Sequence, residues 1–248
     1  MKAQRILARR RFQSWCLYSE SGAGKTSLSA TAPAPIFLDS NQGLLSIAER
    51  PGLESPRSVD IHTMKDLDDA YLNCIGTGDE DWSKKFQTII WDHFDDMQGI
   101  VLDELVEKAM LKDDRRDDAI EQREYGIMGN KLRRYVRKFK RVPMHKILIC
   151  GAKADFETGK LKPSLVGAMG TQLPYLVDHT AFLRINPKTG KRYLHLDPTD
   201  EFYAKTRAHW LTPKQRKVQI DFTDTESLTK LFDLIAAGPK GNTNRGKE

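Results

Sequence analysis

The chain has 248 residues, of which 39% are hydrophobic and 30% are charged, the balance of a soluble protein with one large domain or one domain plus a small appendage. No apolar run approaches the length that spans a bilayer, and the basic N-terminus lacks the apolar core of a signal peptide. The three cysteines are widely spaced, which argues against a disulfide framework or a zinc site and favours the cytoplasm. The net charge of +6 and pI near 9.1 are compatible with a polyanion partner without requiring one.

The first predicted element is an apolar strand, Phe12–Tyr18, that leads into a glycine-rich turn ending in Gly-Lys-Thr. Small residues let successive N–H groups point at phosphate oxygens, while Lys25 can reach the β/γ-phosphates and the Thr26 hydroxyl can hold Mg²⁺. A helix from about Ser27 would add the positive end of its dipole. The usual pattern opens with Gly where this chain has Ser19. The rest of the motif is intact and predicts an ATP phosphate loop whose contacts come from Ser21, Gly22, Ala23, Gly24, Lys25, Thr26 and Ser27.

The next elements alternate between strand and helix. Pro35–Asp39 reads as a second strand and Leu44–Glu49 as a short helix that ends before Pro51. Met64–Cys74 has helical spacing of its apolar residues, and Phe86–Asp92 is typical of a buried strand.

The third strand ends in an acid. A P-loop enzyme orients Mg²⁺ with a carboxylate at the end of a neighbouring buried strand, so Asp92 is predicted to hold the metal together with Thr26. The alternative is a strand that simply ends in a polar residue. Many additional-strand ATPases carry Glu directly after this Asp, whereas here His93 follows, which argues against the common AAA+ arrangement.

Two helices are predicted on either side of a charged segment. The helices are Asp96–Leu111 and Met128–Arg141, and the segment Lys112–Glu124 reads as a mobile loop or a solvated helix. The second helix is amphipathic. Its basic residues form either one wall of a DNA groove or a solvated face, and the candidates for DNA contact are Arg134, Arg137 and Lys138.

The last part of the chain begins with a fourth strand, His145–Gly151. Three shorter strand-like pieces follow it at Thr180–Ile185, Arg192–Leu196 and Phe202–Thr206. A final helix is expected from about Thr225 to Ala236, with Thr223 and Glu226 at the spacing of a capping box.

The alternation of strands and helices predicts the α/β class. We expect a mainly parallel sheet flanked by helices, with an antiparallel extension at one edge. The chain divides into a basic N-terminal segment at 1–11, a core at 12–237 and a disordered tail at 238–248, because the tail has no apolar residue to bury.

Several pieces of this chain follow one another in a familiar order. They are Leu17–Thr26, Pro35–Gly43, the Asp92 strand, Tyr125-Gly126, Lys146–Lys153, Lys162–Gly167, Leu173–Asp178 and Ala204–Arg207. Together they resemble the RecA-like P-loop ATPases of phages, in particular the small Sak-type single-strand annealing recombinases. The resemblance runs from Trp15 to about Leu211 and implies a RecA-like core, host cytoplasm if the chain is phage-encoded, and single-strand binding protein as a partner.

The resemblance also implies a homo-oligomer, either ring or filament, with ATP between protomers. RecA-like proteins carry a Lys-x-Arg pair that reaches the neighbour's nucleotide, and Lys205 and Arg207 match it. Such cations would stabilise charge on the γ-phosphoryl group, as an arginine finger does. The alternative is a pair of surface cations on an edge strand.

The same resemblance implies that this chain lacks some of the residues that the family uses for ATP hydrolysis. The family usually carries a water-activating Glu after the second strand, and the matching residue here is Asn41, which can orient water but cannot accept its proton. Asp39 and Asp95 are possible substitutes, and the fourth strand ends without a polar sensor for the γ-phosphate. We therefore predict ATP binding with slow hydrolysis.

A glycine- and lysine-rich stretch follows the fourth strand, where RecA-like proteins contact single-stranded DNA. Its candidate contacts are Lys153, Phe156, Lys160 and Lys162; the alternative is a flexible loop or a lid.

The leading interpretation of the whole sequence is an ATP-dependent recombination protein that binds single-stranded DNA. Three alternatives stay open. They are a helicase loader or motor, a nucleotide-binding regulatory module without DNA affinity and, least favoured, a small-molecule kinase.

Overall fold

The computed structural model describes residues 12–48, 51–52, 56–111 and 119–239. The basic segment at 1–11, the charged residues 112–118 and most of the predicted tail lie outside the described residues. The strands are β1 (Ser14–Ser19), β2 (Pro35–Asp39), β3 (Arg57–Asp60), β4 (Thr88–Asp92), β5 (His145–Ala154), β6 (Leu161–Pro163), β7 (His179–Ile185), β8 (Arg192–His195), β9 (Lys205–Thr206) and β10 (Lys217–Ile220).

The α-helices connect these strands and cover them. They are α1 (Lys25–Ser29), α2 (Leu45–Ala48), α3 (Met64–Cys74), α4 (Asp96–Met110), α5 (Gln122–Lys140), α6 (Met169–Leu176) and α7 (Ser227–Ala236). Within the described residues, none of them combines the length and apolar character that a membrane crossing needs.

Eight of the described strands lie in the order β10-β8-β7-β1-β5-β4-β2-β3, while β6 pairs with β5 and β9 with β7. The strands from β7 to β3 are parallel, while β8 and β10 extend the β7 edge in antiparallel pairing. β5 lies between β1 and β4, so one additional strand separates the glycine-rich turn from Asp92. The predicted α/β class, with a mainly parallel sheet and an antiparallel edge, is confirmed.

Alternate side chains of a strand point to opposite faces of the sheet. On the central strands both sets of side chains are buried. On β4, Trp91 packs into a cluster with the helices α3 to α6 and contacts the Phe139 ring edge-on at 4.9 Å. On β1, Trp15 belongs to the cluster on the other face, where it stacks on Phe232 of α7 at 5.4 Å. The continuous apolar runs in the sequence reflect this burial on both faces.

Some predicted boundaries are wrong for local reasons. α5 begins at Gln122, because Glu121 and Glu124 form a capping box that extends the helix into the charged segment. The capping box predicted at Thr223 and Glu226 does not form; α7 begins at Ser227, and the Asp224 carboxylate accepts the N–H of Glu226 at 2.9 Å.

The sequence did not predict β3, β10 or α6. β3 lies at the sheet edge and is mostly exposed, so its residues lack an apolar run. α6 contains Pro174, a residue that normally argues against a helix interior. Of the predicted strand Phe202–Thr206, only Lys205–Thr206 is extended in the sheet, as β9.

Candidate functional site

The glycine-rich turn after β1 has the backbone geometry of a phosphate loop. Gly22 and Gly24 have φ angles of 75° and 94°, in the region that favours glycine. A Cβ atom on Gly24 would lie 2.4 Å from the ring of Phe222, so a larger residue is excluded there by contact as well. Ser19, at the position where the usual motif has Gly, is buried, and its hydroxyl donates to the Glu20 carbonyl at 3.0 Å. This departure therefore leaves no polar group unsatisfied.

Lys25 lies inside the loop and is only 6% exposed. Its Nζ donates to the carbonyl oxygens of Ser19 and Glu20, both at 3.2 Å. Burial lowers the pKa of Lys25 below its usual range, while the carboxylates of Asp95 and Asp92 act in the opposite direction. A buried cation held only by carbonyls and nearby carboxylates is well placed for phosphate oxygens.

Two acids end neighbouring parallel strands at the same edge of the sheet. Asp39 on β2 pairs in register with Asp92 on β4, and both are buried. Burial raises the pKa of Asp92; His93, Thr26 and Lys25 oppose this, whereas the charge of Asp39 adds to it. The His93 ring lies between carboxylates, with Nε2 3.1 Å from Asp92 Oδ1 and Nδ1 3.7 Å from Asp95 Oδ1.

The oxygens at this edge fit a hard cation. Oδ1 of Asp92 and Oδ1 of Asp95 are both buried with no donor in hydrogen-bond geometry, an uncommon arrangement for native polar atoms. The Thr26 hydroxyl is close enough to Asp92 to lower its pKa. Carboxylate and hydroxyl oxygens are the ligands that Mg²⁺ prefers, so Thr26 and Asp92 would hold the ion.

The water-activating candidates differ in how they are held. The Asn41 amide donates to Asp96 Oδ2 at 3.2 Å, and its carbonyl accepts the N–H of Gly43 at 2.9 Å, so its side-chain hydrogen bonds lead away from Asp92. Asp95, in contrast, accepts the N–H of Gly151 on β5 at 3.0 Å and acts on the pKa of Lys25.

Lys205 and Arg207 lie at the opposite end of the sheet from the phosphate loop. β9 pairs with the first residues of β7, where His179 is in register with Trp15 near the start of β1. Lys205 Nζ donates to the Pro174 carbonyl at 2.6 Å, and Arg207 donates to Asp178 Oδ1 at 3.0 Å. These cations are therefore not brought to the phosphate loop of their own chain.

The lysines predicted to bind DNA after β5 are engaged within the chain. Lys153 donates to the Leu165 carbonyl at 2.6 Å, Lys160 donates to the Thr199 carbonyl at 3.1 Å, and Lys162 forms an ion pair with Asp155. β5 and β6 form an antiparallel hairpin, and Phe156, in the connection between them, is fully exposed. The ring is therefore free of packing contacts that would keep a ligand from it.

The basic face of α5 is divided. Lys138 forms an ion pair with Asp68 on α3 at 2.7 Å and lies 4.1 Å above the ring of Tyr71. Arg134 and Arg137 are exposed, and no ion-pair partner for them lies within the described part of the chain.

One feature of the site was missed by sequence reasoning. An open cavity of about 570 Å³ lies beside the loop, between Ser27, the turn that joins β7 to β8, and the residues that follow β10. Arg192 and Phe222 are among its lining residues. These segments are far apart in the chain and carry no motif, so only the fold reveals that they meet.

A phosphate loop on β1, an acid on β4 and an intervening β5 define a P-loop ATPase core. A family model described as an AAA domain matches residues 11–208, most of the chain, and the protein belongs to this family of nucleotide-binding ATPase domains. The match includes Asp92 and His93, so the lack of Glu at position 93 does not place the chain outside AAA domains. No curated protein matches the chain.

Proposed function

We propose that this AAA domain is an ATP-dependent protein that binds single-stranded DNA and promotes annealing or strand pairing, with slow ATP hydrolysis. The observation that carries the proposal is the exposed Phe156 on the β5–β6 hairpin. That hairpin continues the strand whose Gly151 is hydrogen-bonded to Asp95 at the nucleotide site. The resemblance to Sak-type annealing recombinases supports the same assignment.

The nucleotide site supports ATP binding more strongly than rapid turnover. The loop amides and Lys25 would bind the phosphates, and Thr26 and Asp92 would hold Mg²⁺, which neutralises phosphate charge when bound. Asn41 cannot take a proton from water, and its amide is already occupied. We therefore assign water activation to Asp95, with Asp39 as the second candidate, and expect turnover well below that of a motor.

The DNA surface would combine stacking with phosphate contacts. Phe156 offers a ring on which a base can stack, and base–aromatic stacking is largely independent of sequence. Arg134 and Arg137 offer exposed guanidinium groups for phosphates. The lysines of the hairpin would contribute only if DNA phosphates replace their internal partners, so we rank them below Phe156.

A homo-oligomer with shared nucleotide sites would give Lys205 and Arg207 a role. Both lie at the end of the sheet away from their own phosphate loop, so a role on ATP would need the nucleotide of a neighbouring copy. A ring or filament that stacks one end of the sheet on the other would bring Arg207 of one copy to the ATP of the next.

Fluorescence anisotropy with labelled single- and double-stranded DNA tests this function. Each DNA is titrated with ATP, ADP or no nucleotide, for the wild type, Lys25→Ala, Phe156→Ala and Phe156→Tyr. We expect preference for single strands, dependence on Lys25, and a loss of about fivefold to 150-fold for Phe156→Ala that Phe156→Tyr restores. The control Leu111→Ala removes another exposed apolar side chain, at the end of α4, and should change nothing.

Two outcomes would redirect the assignment. Absence of DNA binding under every nucleotide condition would favour a regulatory nucleotide-binding module. ATP turnover of tens per second or more would favour a helicase loader or motor, and would show that the water-activating group has been misassigned.

A further inference from the structure

We infer that the cavity beside Ser27 holds the base and ribose of the nucleotide, and that Arg192 and Phe222 form the wall on which the base stacks. The inference rests on the nucleotide-binding part of the proposed function. It is independent of DNA binding and of the oligomer.

The sheet order fixes the direction in which the nucleotide lies. Asp92 is on β4, two strands from β1 on one side, whereas the cavity is built from β8, β10 and the turn after β7, on the other side of β1. Lys25 and Asp92 mark the end at which the terminal phosphate and the metal belong. A phosphate chain that crosses the loop from that end leaves it beside Ser27, which lines the cavity.

The size of the cavity suits this role. Its volume of about 570 Å³ falls within the range of small-molecule pockets, about 300 to 1,000 Å³. It is open to solvent on one side, so a ligand can enter without displacing a packed element.

The wall of the cavity is fixed to the phosphate loop by two contacts. The Arg192 guanidinium lies 4.9 Å from the centre of the Phe222 ring, and its Nε donates to the Ala23 carbonyl at 3.0 Å. The same ring presses against the Cα of Gly24, where no Cβ fits. A planar guanidinium and a phenyl ring both stack on nucleobases.

The polar group next to this wall suits a ribose. Asp221 lines the cavity directly before Phe222, and its Oδ1 accepts the N–H of Thr223 at 2.9 Å. Its other carboxylate oxygen is an acceptor for a ribose hydroxyl. Stacking together with a ribose contact predicts that purine nucleoside triphosphates bind more tightly than triphosphate alone.

Competition binding with two ligands separates the base from the phosphates. The full chain is titrated with ATP and with inorganic triphosphate, both with Mg²⁺, for the wild type, Phe222→Ala, Phe222→Tyr and Arg192→Ala. We expect Phe222→Ala and Arg192→Ala to weaken ATP about fivefold to 150-fold and to change triphosphate less than twofold. Phe222→Tyr keeps the ring and should bind ATP like the wild type.

The controls distinguish failure of this inference from failure of nucleotide binding. Lys188→Ala removes a cation from the same turn without touching the cavity and should have no effect. Lys25→Ala should lose both ligands; if the wild type binds neither, nucleotide binding itself is refuted. Unchanged ATP affinity in Phe222→Ala would overturn the stacking wall. Equal losses of affinity for ATP and triphosphate would also overturn it, because they would show that Phe222 only supports the loop.

Discussion

The two ends of the parallel sheet carry carboxylates in opposite conditions. At the carboxyl end, Asp92 Oδ1 and Asp95 Oδ1 are buried beside the His93 ring, and neither oxygen has a donor in hydrogen-bond geometry. At the amino end, the Asp178 carboxylate accepts hydrogen bonds from the backbone and hydroxyl of Ser14 and from Arg207. Burial alone would raise the pKa of Asp178, but Ser14, Lys140 and Arg207 hold it below its usual range.

This difference distinguishes a candidate ligand site from a structural one. Buried oxygens without a hydrogen-bond donor cost stability unless something binds them, so the two oxygens near Lys25 are candidates for binding a ligand. The hydrogen-bonded network around Asp178 at the amino end stabilises the strands and at the same time holds Arg207 at the surface. Substitutions at each end test whether one end performs chemistry and the other supplies stability and a cation for the neighbouring copy.

The largest effect is expected from the residue that would connect the two ends in an oligomer. Arg207→Ala should lower ATP turnover about 10³-fold, the low end of arginine-finger effects, while nucleotide affinity stays nearly unchanged. Arg184→Ala is the control, because Arg184, near the carboxyl end of β7, is another exposed arginine that pairs with a carboxylate, that of Glu201.

A mixing experiment makes this prediction specific. Arg207→Ala and Lys25→Ala should each be inactive, yet an equimolar mixture should recover a substantial fraction of turnover. Recovery occurs because an intact Lys25 on one copy then meets an intact Arg207 on the next. If the mixture stays inactive although mixed oligomers form, Arg207 belongs only to the structural network.

The next effect concerns the carboxylates at the nucleotide end. Asp95→Asn should lower turnover about 10²-fold, the contribution typical of a general base, and change ATP affinity only a few-fold. The amide oxygen can still accept the N–H of Gly151, so the fold is kept. Turnover is measured under saturating ATP. The control is Asp96→Asn, because the Asp96 carboxylate accepts a hydrogen bond from Asn41. A larger loss in Asp39→Asn than in Asp95→Asn would move the base to β2.

The smallest effect is a pH dependence at the amino end. Burial lowers the pKa of His179 from 6.5 to about 4, and its ring stacks on Trp15 at 4.2 Å. Because the folded state resists protonation, this side chain contributes stability above pH 6.5 that is lost as the pH falls toward 4. At about pH 5 the loss is about 2 kcal/mol.

Urea unfolding at about pH 7.5 and about pH 5 measures this loss. His179→Gln cannot be protonated and can still reach the Thr206 hydroxyl, which lies 2.8 Å from His179 Nδ1. The variant should lose less stability than the wild type on acidification, by about 2 kcal/mol, and should bind nucleotide normally at neutral pH. Equal acid sensitivity in the two proteins would assign the effect to His145 or His195, whose pKa values are also about 4.

The parts of the fold with strong periodicity or a fixed motif were predictable. The burial of β1, β4 and β5 on both faces produces continuous apolar runs, and the phosphate loop and Asp92 follow from spacing alone. Elements such as β3, which is exposed at an edge, and α6, which contains Pro174, lack the pattern from which they could be identified.

The sequence shows where charged side chains occur, but it was harder to predict which of them are free to bind a ligand. The sequence gives Lys138, Lys153 and Arg137 similar weight as cations. In the fold, Lys138 is paired with Asp68 and Lys153 with a carbonyl, while Arg137 is exposed. Pairing of this kind joins residues that are distant in the chain, so no local pattern encodes it. For the same reason the cavity wall at Arg192 and Phe222 could not be anticipated.

The ring of Phe222 makes the phosphate loop depend on chain that lies beyond the family match, which ends at residue 208. The dependence extends to α7, where the N–H of Leu228 donates to the Thr31 hydroxyl at 3.0 Å and the Phe232 carbonyl accepts from Gln13 at 2.9 Å. A fragment cut at the family boundary would keep every residue of the ATPase motif and lose a wall of its loop. Modular transfer of this domain therefore has to carry residues through α7.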